Sequence, residues 1–124
     1  MSDEQRHEDG MAVRRRVLGD EHVDRAVAAT TDTDRDFQEW ITTTVWGDLW
    51  GRPGLEPRQR SLVTIALLAA GRHDELELHL RAARNTGATS EEIVEVLLHV
   101  AVYAGVPAAN HAFKIMKTIY EEES

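Results

Sequence analysis

Two segments of the chain, residues 57–70 and 90–104, are apolar on almost every side when they are written as helices. Arg60 is the main polar interruption of the first segment. A helix without a polar face must be covered on all sides, and a chain of 124 residues can supply only part of that cover. We therefore expect an all-α protein that assembles as a homo-oligomer through large interfaces.

Turn and cap residues divide the N-terminal half into helices. Gly19 followed by Asp20 is typical of a helix end and a new N-cap, and Thr33 or Asp34 can cap the next helix. That helix is expected to run to about Trp50, because its apolar residues recur with a period close to 3.6. Before it, we expect helices near residues 3–18 and 20–29.

The C-terminal half carries equally clear helix boundaries. Pro57 suits the first turn of a helix that ends at Gly71, and Gly87 suits the end of a helix over about 74–85. The segment 89–92 has the form of a capping box, and Pro107 opens the last helix. No stretch alternates with a period of two between turn residues. The sequence thus predicts one all-α domain over 1–124, with about six to seven helices.

Composition excludes several classes of function. The chain has no cysteine, so disulfides, thiolate zinc sites and cysteine nucleophiles are absent. Its formal charge of −8 disfavours nucleic acids and anionic membrane surfaces as partners. The longest nearly apolar run, 62–70, is too short for a membrane helix. With a polar N-terminus that lacks a signal-peptide pattern, the protein is expected to be cytoplasmic.

His79 is the first candidate for chemistry. Leu76, Leu80 and Ala83 share its side of the helix, which places the imidazole inward or in a cleft. Glu75 lies one turn earlier, and a carboxylate beside an imidazole raises the pKa of the ring and makes a proton-transfer pair. The alternative is a core histidine that a nearby acid satisfies.

Two further histidines, His111 and His99, have similar apolar neighbours, and each alone can also be structural. We expect all three to point inward. No metal site is predicted: the diiron pattern needs Glu-x-x-His on two helices, whereas Glu75/His79 and Glu95/His99 are spaced i, i+4. A phosphate-binding glycine loop is absent as well.

Arginines are crowded on two successive helices of this acidic chain. Arg60 lies in an otherwise apolar helix, where a guanidinium can act as a bidentate carboxylate clamp. Arg81 and Arg84 are further candidates on the next helix. For each of them, solvation or pairing with a nearby glutamate is the default interpretation.

Several motifs together resemble the γ-carboxymuconolactone decarboxylase family, over nearly the whole chain. In the N-terminal third these are Gly-Met-x-Val-Arg-Arg at 10–15, Val-Leu-Gly-Asp-x-His-Val-Asp at 17–24 and Trp-Gly-x-x-Trp at 46–50. In the remainder they are Arg-Pro-Gly-Leu at 52–55, Arg-Ser-Leu-x-Thr-Ile-Ala at 60–66, His-Leu-Arg-Ala-Ala-Arg-Asn at 79–85 and Gly-Val-Pro-Ala-Ala-Asn-His-Ala-Phe at 105–113.

The resemblance implies an alkylhydroperoxidase D-like orthogonal helical fold that assembles as a homohexamer, a trimer of dimers. Peroxidases of this superfamily carry Cys-x-x-Cys-x-x-x-His, whose cysteines would fall at Arg72 and Glu75 and whose histidine is His79. This chain therefore keeps the histidine and lacks both thiols. The resemblance implies thiol-free chemistry on this scaffold.

The family reaction is the decarboxylation of γ-carboxymuconolactone to β-ketoadipate enol-lactone and CO2, in the protocatechuate branch of the β-ketoadipate pathway. This lactone dicarboxylate is its own electron sink, so no cofactor is expected. For this reaction we expect Arg60 to be the carboxylate clamp, in preference to Arg81 and Arg84. We expect His79, oriented by Glu75, to deliver the proton, and His79 or His111 to stabilise the lactone oxygen. The family identity does not fix which histidine delivers the proton.

The departing carboxylate is expected in an apolar pocket against Trp46 or Trp50, where desolvation favours neutral CO2. Two alternatives stay open. The chain could be a superfamily oxidoreductase, resembling the peroxidases without their cysteines, or a non-catalytic oligomeric binding protein. In the second case, His79 and His111 are core residues only.

Overall fold

All regular secondary structure in the computed structural model is helical across residues 2–123, which are the residues that the structure describes. The elements are α1 (Asp3–Leu18), α2 (Asp20–Ala29), α3 (Arg35–Ile41), a π-helix (Thr42–Leu49), α4 (Pro57–Ala70), α5 (Leu76–Thr86), α6 (Ser90–Tyr103) and α7 (Val106–Glu122). The all-α prediction and the number of α-helices are confirmed.

The chain divides into two compact units, the first ending at Glu56 and the second starting at Pro57. In the first unit α1 packs along the π-helix, and α2 and α3 join them. The backbone N–H of Trp50 donates to the carbonyl of Val45 at 3.0 Å, which is the i→i−5 pattern of a π-helix. The prediction of one continuous α-helix to Trp50 is therefore wrong beyond Ile41.

Two glycines allow α1 and the π-helix to approach closely. A Cβ atom on Gly10 would overlap the carbonyl oxygen of Thr42, and one on Gly47 would lie 3.3 Å from the Cα of Gly10. Any larger residue at Gly10 must push the two backbones apart. This contact brings the middle of α1 against the start of the π-helix.

The second unit has a continuous apolar core. Helix α4 packs on α5, α6 and α7, and α7 packs on α5 and α6. Ile65, Leu76, Ile93, Leu97 and Ile119 are at most 1% exposed and form the centre of this core. Four helices thus enclose one hydrophobic cluster.

The helix boundaries predicted for this unit agree closely with those in the structure. Gly87 ends α5 in the left-handed conformation, at a φ of 88° that glycine adopts without strain. Both hydrogen bonds of the capping box between Thr89 and Glu92 are present at the start of α6. Helix α5 begins two residues later than predicted, at Leu76.

Candidate active site

His79 lies on α5 and is half-buried, between the buried side chains of Leu76 and Leu80. The loop before this helix contains Arg72, a non-glycine residue with a φ of 54°. Its guanidinium donates to the carbonyl oxygen of Pro107 at 3.0 Å, which ties the loop to the start of α7. The half-burial of His79 agrees with the prediction that its imidazole points inward or into a cleft.

His111 lies on α7 and is also half-buried. Its Nδ1 atom is buried and makes no hydrogen bond to the described residues. Nδ1 of His79 and Nε of Arg60 are likewise buried and make no hydrogen bond to the described residues. Both of these residues make other interactions. Because buried polar atoms nearly always have partners, Nδ1 of His111 is available to a ligand or to another chain.

Three helices that pack on one another carry these residues. Arg60 is half-buried on α4, His79 lies on α5 and His111 on α7, and each of these helices contacts the other two. These helices therefore carry one guanidinium, a group that can hold a carboxylate, and two imidazoles, which can donate or accept a proton.

The other two candidate arginines are engaged in ion pairs. Arg81 binds Glu122 at 2.8 Å and Glu77 at 3.7 Å, and Arg84 pairs with Glu123. The hydrogen bond to Glu122 raises the pKa of Arg81 above its ordinary value. Arg81 is thus held by carboxylates of α5 and α7, and Arg84 by the residue that follows α7.

Glu75 precedes α5 as its N-cap residue, and its side chain is exposed. Its carbonyl oxygen accepts the backbone N–H of His79 at 3.1 Å. Nδ1 of His79 makes no hydrogen bond to the Glu75 carboxylate or to any other described residue. Orientation of the imidazole by Glu75 therefore stays a prediction.

The expectation that His99 points inward is wrong. His99 is exposed on α6, where its ring stacks on Tyr103 with centroids 4.9 Å apart. Both rings line a largely apolar cavity of about 550 Å³ between α4 and α6. On a helix that is apolar nearly all round, apolar neighbours do not distinguish the inner from the outer face.

Trp46 and Trp50 belong to the first unit and come together there. Their ring centroids are 5.3 Å apart, and the residues are 6% and 7% exposed. The two indoles therefore form a buried aromatic pair at the end of the π-helix. A role for either of them against a departing carboxylate stays a prediction.

Sequence reasoning missed a buried arginine in the first unit. Arg14 is 6% exposed and donates to Thr42 Oγ1 at 3.0 Å and to Gln38 Oε1 at 3.1 Å. Burial lowers the pKa of its guanidinium, and neighbouring Arg15 lowers it further. The spacing of Gly10, Arg14 and Leu18 at i, i+4 and i+8 on one side of α1 is the sequence signal that could have found it.

Within 2–123, no three histidine or carboxylate side chains come together as the ligands of a metal ion would. No helix in the described part of the chain is long and apolar enough to cross a membrane.

Comparisons with known proteins give a consistent result. The model of the carboxymuconolactone decarboxylase family matches residues 35–118. The chain is 48% identical over 123 residues to the 4-carboxymuconolactone decarboxylase of Acinetobacter baylyi, an alignment that covers 98% of this chain and 92% of that protein. It is 45% identical over 114 residues to the nitrosuccinic acid decarboxylase of Metarhizium robertsii, covering 90% of this chain and 80% of that protein.

Proposed function

The chain belongs to the carboxymuconolactone decarboxylase family, and from this premise we propose that it decarboxylates 4-carboxymuconolactone to the enol-lactone of β-ketoadipate and CO2. The family membership confirms the resemblance seen in the sequence, and with it the alkylhydroperoxidase D-like all-α fold. The observation that carries the proposal is the 48% identity to a protein of that name over nearly the whole of both chains.

The substrate supplies the electron sink for this reaction. Breaking the bond to the leaving carboxylate releases CO2 and leaves an electron pair, which delocalises through the ring alkene onto the lactone carbonyl. Protonation of a ring carbon then gives the enol-lactone. The protein has to hold the retained carboxylate, stabilise the developing negative oxygen and deliver one proton.

Arg60 is the proposed clamp for the retained carboxylate. It is half-buried on α4, where its planar guanidinium can bind both carboxylate oxygens, which a lysine cannot do equally well. Arg60 is preferred to Arg81 and Arg84 because it is the main polar residue of an otherwise apolar helix, whereas the other two lie on α5.

The two half-buried histidines share the remaining tasks. We assign proton delivery to His79, with Glu75 as the orienting group, and stabilisation of the lactone oxygen to His111. An N–H at the buried Nδ1 atom of His111 can donate to an oxyanion.

A turnover assay tests the proposal directly. Purified protein is mixed with freshly prepared 4-carboxymuconolactone and excess EDTA, and CO2 release and enol-lactone formation are followed. We expect turnover by the wild type, and a loss of kcat on the order of 10²–10⁴-fold in His79→Gln. His22→Gln is the matched control, because this half-buried histidine on α2 has no role in the mechanism.

The outcomes separate the alternatives. No turnover by the folded wild type would leave a non-catalytic binding protein or a peroxidase-like scaffold. Full activity in both His79→Gln and Glu75→Gln would make that pair structural. An unchanged KM in Arg60→Lys would assign the clamp to another arginine.

A second substrate has to be compared in the same assay. The relative from Metarhizium robertsii is named for nitrosuccinic acid, and its 45% identity is close to that of the lactone decarboxylase. Both names describe loss of CO2 from a small polycarboxylate. A higher kcat/KM for nitrosuccinic acid than for the lactone would show that the protein is a decarboxylase whose preferred substrate is nitrosuccinic acid.

The same proposal includes assembly into a homo-oligomer, a hexamer built as a trimer of dimers. Apolar side chains on α4 and α6 are exposed in the single chain: Leu67 is 67% exposed and Val102 is 76% exposed. If other copies of the chain bury this surface, the absence of a polar face on α4 and α6 is explained. A cytoplasmic location also stays a prediction.

Light scattering after size exclusion tests the assembly. We expect a mass of several chains for the wild type and a smaller one for Leu67→Glu, because a buried carboxylate opposes association. A monomeric wild type would contradict the proposal. Gln59→Glu, an exposed change near the start of the same helix, controls for added charge.

A further inference from the structure

Among the described residues, the buried cation Arg14 is paired only with neutral groups. Its two bonded acceptors are the hydroxyl of Thr42 and the side-chain amide oxygen of Gln38. Its Nε atom is buried and makes no hydrogen bond to the described residues. A guanidinium has five N–H donors, so the bonds to Thr42 and Gln38 leave donors of Arg14 unused. A buried charge without a counterion is unfavourable, which points to an anionic partner.

The surrounding fold holds this guanidinium in place. The hydroxyl of Thr42 donates to the carbonyl oxygen of Gln38 at 2.8 Å, which leaves its oxygen oriented to accept from Arg14. The close approach at Gly10 brings α1 against this part of the chain. The donors of Arg14 are therefore positioned before any ligand binds.

A cavity of about 240 Å³ lies beside these groups within the first unit. Arg14, Gln38 and Thr42 all line it, so the buried cation borders open space. The volume is large enough for a small organic acid and too large for a single bridging water. The charged or titratable groups on its other walls are His7, Arg35 and Glu39, of which Arg35 is paired with Asp32.

We propose that this cavity binds the carboxylate group of a small organic acid, with Arg14 as the cation and with the Gln38 amide and the Thr42 hydroxyl as its positioning groups. Arginine is preferred to lysine at such a site because its fork matches both carboxylate oxygens. The site lies beyond the proposed function, which uses Arg60, His79 and His111 of the second unit.

The test is a titration of ¹⁵N-arginine-labelled protein with sodium succinate at constant ionic strength. The Nε–H signal of Arg14, assigned by its loss in Arg14→Lys, reports binding without any need for activity. We expect a saturable shift of this signal. Calorimetry should show a succinate dissociation constant at least tenfold weaker in Arg14→Gln, and unchanged within twofold in Arg16→Gln, an exposed arginine of the same helix.

Several results would overturn the inference. The Nε–H signal of the folded wild type could fail to shift, or Arg14→Gln could bind succinate as tightly as the wild type. Equal affinity for inorganic phosphate would refute the preference for a carboxylate. The wild-type spectrum keeps the test decisive even if Arg14→Gln does not fold.

Turnover kinetics distinguish the two sources of the carboxylate. Competitive inhibition by succinate that Arg14→Gln abolishes would identify the carboxylate as that of the substrate or product. An Arg14-dependent change in kcat without competition would identify a separate effector acid. Turnover without binding at Arg14 refutes this inference alone, whereas binding without turnover refutes only the proposed function.

Discussion

The substitution Gly10→Ala tests the close contact between α1 and the π-helix. A Cβ atom at this position overlaps the backbone carbonyl oxygen of Thr42, and a backbone atom cannot move aside by changing rotamer. Overpacking of this kind destabilises by about 1–3 kcal/mol, and we take the upper end because the obstacle is backbone. Alanine regains about 1 kcal/mol through its helix propensity. The net expectation is a loss of about 2 kcal/mol in the free energy of unfolding.

Tryptophan fluorescence is the suitable assay, because Trp40, Trp46 and Trp50 all belong to the first unit. Urea unfolding at one protein concentration should give a lower midpoint for Gly10→Ala than for the wild type. Gly54→Ala is the control, since a Cβ there has nothing within 4 Å and should change little. A midpoint for Gly10→Ala equal to or above that of the wild type would refute the reasoning.

Three further predictions concern the second unit. Leu97→Ala removes a fully buried side chain and should lower the free energy of unfolding by about 3 kcal/mol. Urea titration followed by circular dichroism measures this loss, and a loss under about 1 kcal/mol would contradict the central position of Leu97. Gly87→Ala places a Cβ on a residue with a φ of 88° and should lower the free energy of unfolding by about 1–2 kcal/mol. Gly54 does not have a positive φ, so Gly54→Ala should show no such loss in the same titration. Thr89→Ala removes the hydroxyl that accepts the backbone N–H of Glu92 and donates to its carboxylate, but it keeps the backbone N–H of Thr89, which is the largest cause of the lowered pKa of Glu92. The variant should be less stable than the wild type at neutral pH, and the difference should narrow as pH falls through the lowered folded pKa of Glu92, because only the hydroxyl–carboxylate contribution is then lost; a difference that grows on acidification would give the wrong sign.

Local signals in the sequence account for most of the helix boundaries. Gly19, Gly87 and Thr89 act through their own backbone or side chain and nearby residues, so their effect can be predicted without knowledge of the fold. The family motifs are local too, and the comparisons confirm the family that they indicated.

The features that escaped prediction depend on distant contacts. The sequence of the π-helix has an ordinary helical pattern of apolar residues, which does not distinguish i→i−5 from i→i−4 hydrogen bonds. The structure shows the i→i−5 bonding in a segment on which α1 packs. Arg14 resembles a solvated arginine until Thr42 and Gln38, from 24 to 28 residues away, cover it. The error at His99 has another cause, since apolar residues surround that position on both faces of α6.

The continuous apolar core of the second unit has a consequence for local stability. In the described part of the first unit, the buried apolar side chains are Val17, Leu18, Val23, Trp46 and Trp50, a smaller set than the core of the second. Segments with fewer buried apolar contacts open at lower free energy. Amide hydrogens of α1 and of the π-helix should therefore exchange with solvent faster than those at the centres of α4 and α6. A ligand that binds only the closed first unit would slow that exchange, so exchange rates in this half of the chain would report its occupancy.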